Sequence, residues 1–288
     1  MLAIFKKEFK SYFINMTGYC FISFFIFITA LFFSLININN GLLDYQSTLM
    51  TTVIMFLILV PILTMRLFSE ESKNKTDQLL LTSPISIFKI TFGKYLASIS
   101  LFFLTLLATI IFPFILSFYG KIAVAHIFCT YLGYFLLGSC FISIGIFLST
   151  LSENQIVVSI STFGSIFLFY ILDSLLRYMP SDKISSLIFI TVCIFVLTYF
   201  IQVRVKTSYA LVFVSIILEI LILIDYFFKL KVINFDSLIS KSLNWFSLMS
   251  RFNNFISGIL SLSDIFYYIS FIVFFILLTV NSIERKRF

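Results

Sequence analysis

Apolar runs of about twenty residues, separated by short polar links, recur along this chain of 288 residues and dominate what it can become. A helix rises about 1.5 Å per residue, so each run matches the roughly 30 Å hydrocarbon core of a bilayer. A sliding window finds eight of them, at approximately 18 to 36, 50 to 68, 95 to 118, 124 to 149, 155 to 176, 185 to 203, 208 to 228 and 264 to 282. Unpaired backbone cannot face lipid, and no run alternates as a barrel strand does, so each is expected to be a helix. The expected fold class is all-α: a polytopic helical membrane protein with about eight transmembrane helices. A water-soluble globule is excluded, because 60% hydrophobic residues against 11% charged leave too little polar surface to cover it.

The net charge of +7 reports on topology, because Lys and Arg gather at the ends of the apolar runs. With a cytoplasmic amino terminus the inner side holds Lys6, Lys7, Lys10, Arg66, Lys73, Lys75, Lys89, Lys94, Arg204, Lys206, Arg285, Lys286 and Arg287, which is 13 of the 20 cations. The outer side keeps Lys121, Arg177, Lys183, Lys229, Lys231, Lys241 and Arg251. This is the asymmetry of the positive-inside rule, and eight spans return the basic tail to the inner side. The run at 18 to 36 is long enough to span and no small-residue cleavage site follows it, so it reads as a retained first helix.

Reactive side chains are sparse. Cys20, Cys129, Cys140 and Cys193 all lie in apolar runs without C-x-x-C spacing, and His126 is the chain's single histidine, so packing is the expected role of each. No nucleophile–base pair, paired catalytic carboxylates or metal-ligand cluster is present in the sequence, and no catalytic, cofactor-binding or metal-binding residue is assigned.

The segment between the second and third runs reads MRLFSEESKNKTDQLLLTSPISIFKITFGKYLA. Glu71 and Lys75 stand i,i+4, as a helix would pair them. Ser83 followed by Pro84 is an N-cap before the favoured first helical position. From there Ile85, Phe88, Phe92 and Leu96 repeat on one face, with Lys89 and Lys94 off that stripe. An amphipathic helix is expected here, either lying along the membrane surface or docking another protein. The opening stretch IFKKEFKSYF, within residues 1–14, is a second amphipathic helix with Phe5, Phe9 and Phe13 on one face.

Residues Arg66, Leu67, Phe68, Glu70, Glu71, Thr76, Leu79, Leu80, Leu81, Thr82, Pro84, Gly93 and Lys94 match, in order, the first cytoplasmic loop of ABC type-2 exporter permeases, and the chain resembles their gliding-motility-type branch. STLSENQIV is similar to that family's fourth-to-fifth turn through Ser149, Glu153, Asn154, Gln155 and Ile156. The stretch from WFSLMSRFNNF to ERKRF resembles its extracellular elbow and last helix. The resemblance implies one permease domain over 1–288, with a cytoplasmic coupling segment at 68–94 and an extracellular elbow at 231–263. It implies that Glu70, Glu71, Lys75, Ser83, Pro84, Phe88, Lys89, Gly93 and Lys94 serve coupling, with Glu153, Asn154 and Gln155 in a cytoplasmic turn. It further implies a second permease copy or homologous permease and a separate ATP-binding subunit that holds ATP and Mg. The expected location is the bacterial inner membrane, multi-pass, with both termini cytoplasmic. No G-x-x-x-x-G-K-[ST] motif is present in this chain, so its own residues do not form a P-loop.

The sequence departs from that pattern at 178–230, where two further apolar runs form what reads as an inserted helix pair. Glu219 lies near the middle of one of them. A carboxylate at bilayer depth costs a few kcal/mol and suggests function, so an ion-coupled secondary transporter using Glu219 is the alternative reading. A membrane-embedded lipid-modifying enzyme would need clustered polar residues at the interface, which are lacking.

Overall fold

The computed structural model describes residues 1–76, 85–178, 245 and 247–287. Among the described residues no strand occurs. Helix α1 is Leu2–Ile14, and α2, Thr17–Phe33, continues through a π-helical turn at Ser34–Ile38. The second span is assembled from α3 (Tyr45–Thr52), a 3-10 turn at Val53–Met55 and α4 (Phe56–Thr64), and leads into α5 (Ser69–Lys73). Then follow α6 (Ile87–Thr109), α7 (Ile111–Ser117), α8 (Val124–Ser149), α9 (Gln155–Tyr178), α10 (Leu248–Ile256) and α11 (Leu262–Arg287).

Six stretches among the described residues are long and apolar enough to cross a membrane: Thr17–Ile38, Tyr45–Lys73, Ile87–Ser117, Val124–Ser149, Gln155–Leu172 and Leu262–Arg285. They correspond to six of the expected runs. The runs at 185 to 203 and 208 to 228, with most of the 178–230 segment, lie outside the described residues. The chain divides into two compact units, one of Met1–Tyr170 with Leu248–Phe288 and the other Ile171–Ser247. Of the second, the described residues are the end of α9, Trp245 and Ser247.

In the first unit α8 is the central post, and α4, α6, α10 and α11 pack against it. Lipid gives helices no hydrophobic drive to associate, so close approach through small side chains supplies the contact. A Cβ at Gly145 would collide with the Thr64 Oγ1 of α4, and one at Gly133 would lie 2.6 Å from the Phe255 ring of α10. Ser139, Ser143 and Ser149 are also buried, within this one chain. Their hydroxyls donate to carbonyls three or four residues back, at 2.7, 2.7 and 2.6 Å, so they add no unpaired polar group to the interior. Around α8 an aromatic core forms: the Tyr134 ring stands 4.8 Å from Phe56 and 6.2 Å from Phe102, within the range of favourable ring pairs.

The two ends of this unit differ in chemistry. At one end, Ile87 of α6 packs with Val280 and Ile283 of α11, and the hydroxyls of Thr150 and Ser282 are 3.0 Å apart. Here Arg66, Lys73, Lys75 and Lys89 are exposed. At the other, Asn37 stitches span one to span two by donating to the carbonyls of Leu42 and Asp44 at 2.8 and 3.0 Å. There the Arg251 guanidinium of α10 meets Asp264 of α11 at 2.8 Å and lies 3.8 Å from the Tyr267 ring centroid.

Because the α4–α8 contact has no room for a side chain, Gly145→Val is expected to cost about 1–3 kcal/mol through overpacking. Nothing lies within 4 Å of a Cβ at Gly164 in α9, so Gly164→Ala should be neutral or stabilising by up to about 1 kcal/mol. Thermal unfolding of the detergent-purified protein checks both; equal midpoints for the two variants would contradict the packing.

Candidate functional site

Three short elements meet at the cation-rich end. In α1, Phe5, Phe9 and Phe13 recur every fourth residue and form an aromatic column, the first pair stacked and the second edge-on, with ring centroids 5.8 and 5.3 Å apart. Ile4 and Tyr12 are buried while Lys6, Lys7 and Lys10 face outward. The Tyr12 hydroxyl lies 2.8 Å from that of Ser98 in α6 and donates to the Leu63 carbonyl of α4 at 3.4 Å. Burial pushes the Tyr12 phenol above its ordinary range, with the Ser98 hydrogen bond acting in the opposite direction, so it stays neutral. Gly93 of α6 brings this helix close: a Cβ there would lie 3.3 Å from Ile4 and 3.4 Å from the Met1 carbonyl.

Helix α5 is a single short turn. Its end is closed by Lys75 in the left-handed region, φ 57°, with the Thr76 amide donating to the Glu71 carbonyl at 3.0 Å. That reversal removes Lys75 from the position four residues along a helix from Glu71. The expected Glu71–Lys75 pair is therefore corrected: Glu71 turns inward to other partners.

The partner at the centre is Lys94, only 1% exposed. Its Nζ is 2.7 Å from Glu71 Oε2 and 3.4 Å from Glu8 Oε1, and it also donates to the Leu67 carbonyl. The Phe68 ring centroid lies 4.6 Å away. On its outer side Glu71 reaches Lys7 at 3.6 Å. Burying an ammonium costs several kcal/mol unless its hydrogens find acceptors and its charge is neutralised. Here two carboxylates and a carbonyl, from α1, α5 and the turn before α5, meet both requirements.

Placing Lys94 off the packed stripe is thus corrected. The packed face of α6 runs through Ile87, Ile90, Thr91 and Lys94, whereas Ile85 and Phe88 are exposed and Phe88 stacks on Phe92 at 5.7 Å. The apolar stripe is thus exposed at Ile85 and Phe88 and half-buried from Phe92, which packs against the core, because at a membrane surface an apolar stripe need not face protein along its whole length. The helix also begins later than expected. Ser86, extended at φ −65° and ψ 139°, occupies the N-cap position and α6 starts at Ile87. Ser83 and Pro84, proposed as that start, lie outside the described residues.

Glu70 is partly exposed and Lys89 exposed. At the turn from α8 to α9, Asn154 accepts from the Ile156 amide at 2.9 Å and its own amide donates to the Ser152 hydroxyl at 3.2 Å, capping α9. Glu153, Asn154, Gln155 and Ile156 line an open cleft of about 540 Å³ with Lys73, which brings the turn beside α5. Glu219 lies outside the described residues. Sequence reasoning missed Glu8, whose signal was available: it is the only acid in α1, three residues after Phe5 and four before Tyr12.

These features define a polytopic helical membrane protein with a buried ion-pair cluster at its cation-rich end. Residues 33–228, more than half of the chain, match the family described as ABC-2 family transporter protein, and the chain belongs to that family. It is thereby a transporter permease component. The matched range includes Glu71, Lys94 and the 153–155 turn but not Glu8. No curated protein and no solved structure matches the chain.

Lys94→Met leaves two carboxylates facing each other without their buried cation, and is expected to destabilise by about 3–5 kcal/mol. Adding Glu8→Gln and Glu71→Gln to it should recover part of the loss, since the uncompensated charges go too. Thermal unfolding of the single and triple variants checks this; a single variant as stable as the parent would contradict the cluster.

Proposed function

We propose that this chain is the membrane-spanning subunit of an ATP-driven exporter of the gliding-motility-type branch. It works with a separate ATP-binding subunit that carries ATP and Mg, and with a second copy or a homologous permease. The observation that carries the reading is the Lys94 cluster. It joins α1, α5 and the start of α6 through buried ion pairs, so that a push on the 68–94 segment reaches the third span directly. On this reading the three elements move as one body. Phe88, 49% exposed, is free to contact the partner, and Glu70, Lys73 and Lys89 supply solvent-facing charge at the same end. Charge complementarity of this kind governs partner choice and association rate more than affinity. Both termini and the Lys94 end face the cytoplasm of a bacterial inner membrane, in keeping with the positive-inside rule.

Copurification with the ATP-binding subunit tests the coupling. Phe88→Asp is expected to leave thermal stability within about 0.5 kcal/mol, as an exposed substitution should, while reducing recovered partner at least tenfold. Undiminished recovery would overturn the role of this segment. Orientation is tested by single cysteines in a cysteine-free background: a membrane-impermeant thiol reagent outside intact cells should label Lys121→Cys and not Lys73→Cys. The reverse pattern would invert the topology.

A further inference from the structure

At the end away from Lys94, the link between α6 and α7 breaks a continuous helix. The Ile110 amide bonds back only three residues, to Leu107 at 3.2 Å, and Pro113, one turn on, has no amide hydrogen to give. Between α6, α7 and the first half of α8 this leaves a groove of about 570 Å³. Its walls include Phe103, Leu107, Phe114, Phe128 and Leu132, of which the first four are each about half exposed or more. Two lining side chains carry hydroxyls, and both are engaged within the protein. Tyr131 turns inward, donating to the Tyr45 hydroxyl at 3.3 Å and lying 3.2 Å from that of Thr109, and Ser117 donates to the Phe114 carbonyl at 2.6 Å. The groove therefore presents almost no hydrogen-bonding group to an occupant.

We propose that this groove is a binding site for one acyl chain of an anionic phospholipid whose phosphate is met by Lys121. Along the helix axes from Phe103 to Ser117 the groove runs about 20 Å at 1.5 Å per residue, enough to hold the single chain that fills one leaflet's roughly 15 Å of hydrocarbon. An α-helix with its side chains is about 10–12 Å across. An acyl chain has neither backbone amides to satisfy nor that girth. Lys121 directly precedes the lining residue Ile122 in the chain, exposed and without an ion-pair partner among the described residues. Tyr119, 79% exposed, flanks it, as amphipathic aromatic rings flank headgroups at membrane interfaces. One cation near an anionic surface favours the charged lipid about fivefold.

The chain's single tryptophan makes the test direct. In a Trp245→Phe background, Leu107→Trp places a reporter on the groove wall and Leu277→Trp places one on the exposed face of α11. Each is titrated in vesicles with brominated phosphatidylglycerol or brominated phosphatidylcholine, whose chains quench tryptophan on contact. The groove reporter should reach half-quenching at about fivefold lower fraction of the anionic lipid, Leu277→Trp should show no preference, and Lys121→Ala should abolish the preference in the groove. Equal quenching by both lipids in the groove would overturn the proposal. So would a groove reporter that neither lipid quenches, the result expected if a second copy of the chain covers this face. Should Leu107→Trp fail to fold, Phe103→Trp carries the same reading.

Discussion

A lysine ammonium buried among three helices sets the terms for the cation-rich end of this protein. Left unpaired it would cost more than a small membrane bundle can spare, so Glu71, Glu8 and the Leu67 carbonyl must all be within reach of Nζ at once. That requirement fixes several other features. Helix α5 must turn Glu71 inward, and the left-handed Lys75 ends the helix immediately beyond it. Helix α1 must lie close against α6, which Gly93 permits. The Tyr12–Ser98 contact and the phenylalanine column hold α1 at that distance.

The spans were legible because length and apolarity alone specify a bilayer helix. The run at 124 to 149 and the helix Val124–Ser149 agree to the residue, and the boundary at Gln155 follows from the Asn154 cap. Rotation about the helix axes was not legible. In water an apolar stripe marks the core, but a membrane helix is apolar on its lipid face as well. The stripe at Phe88 and Phe92 is compatible with either a membrane surface or a protein, and Phe88 is exposed while Lys94, off that stripe, is buried. A charged residue beside a glycine was the better guide, since Gly93 marks where another helix comes close.

Glu8 shows the same limit from the other side. Its partner is 86 residues away in the chain, so its place as the only acid of α1 marks it as unusual without saying which cation it meets. The family match begins at residue 33, so it gives no help with α1. The glycines of α8 are close-approach positions, and their neighbours lie within the chain: Thr64 and Phe255 fill the space that larger side chains at 145 and 133 would need. Small residues therefore serve the interior of the bundle, while the groove at the opposite end of α6 is open because a helix break separates α6 from α7.

The central claim is that the Lys94 cluster makes α1, α5 and the start of α6 one body. Spin labels at Lys10→Cys in α1 and Lys89→Cys in α6, in a cysteine-free background assembled with the proposed ATP-binding subunit, report it by pulsed electron–electron distance. One narrow distance is expected, unchanged with ATP bound or absent, that broadens in the Lys94→Met variant. A distance that shifts between nucleotide states in the parent, or a parent and a Lys94→Met variant with the same distribution, would contradict it.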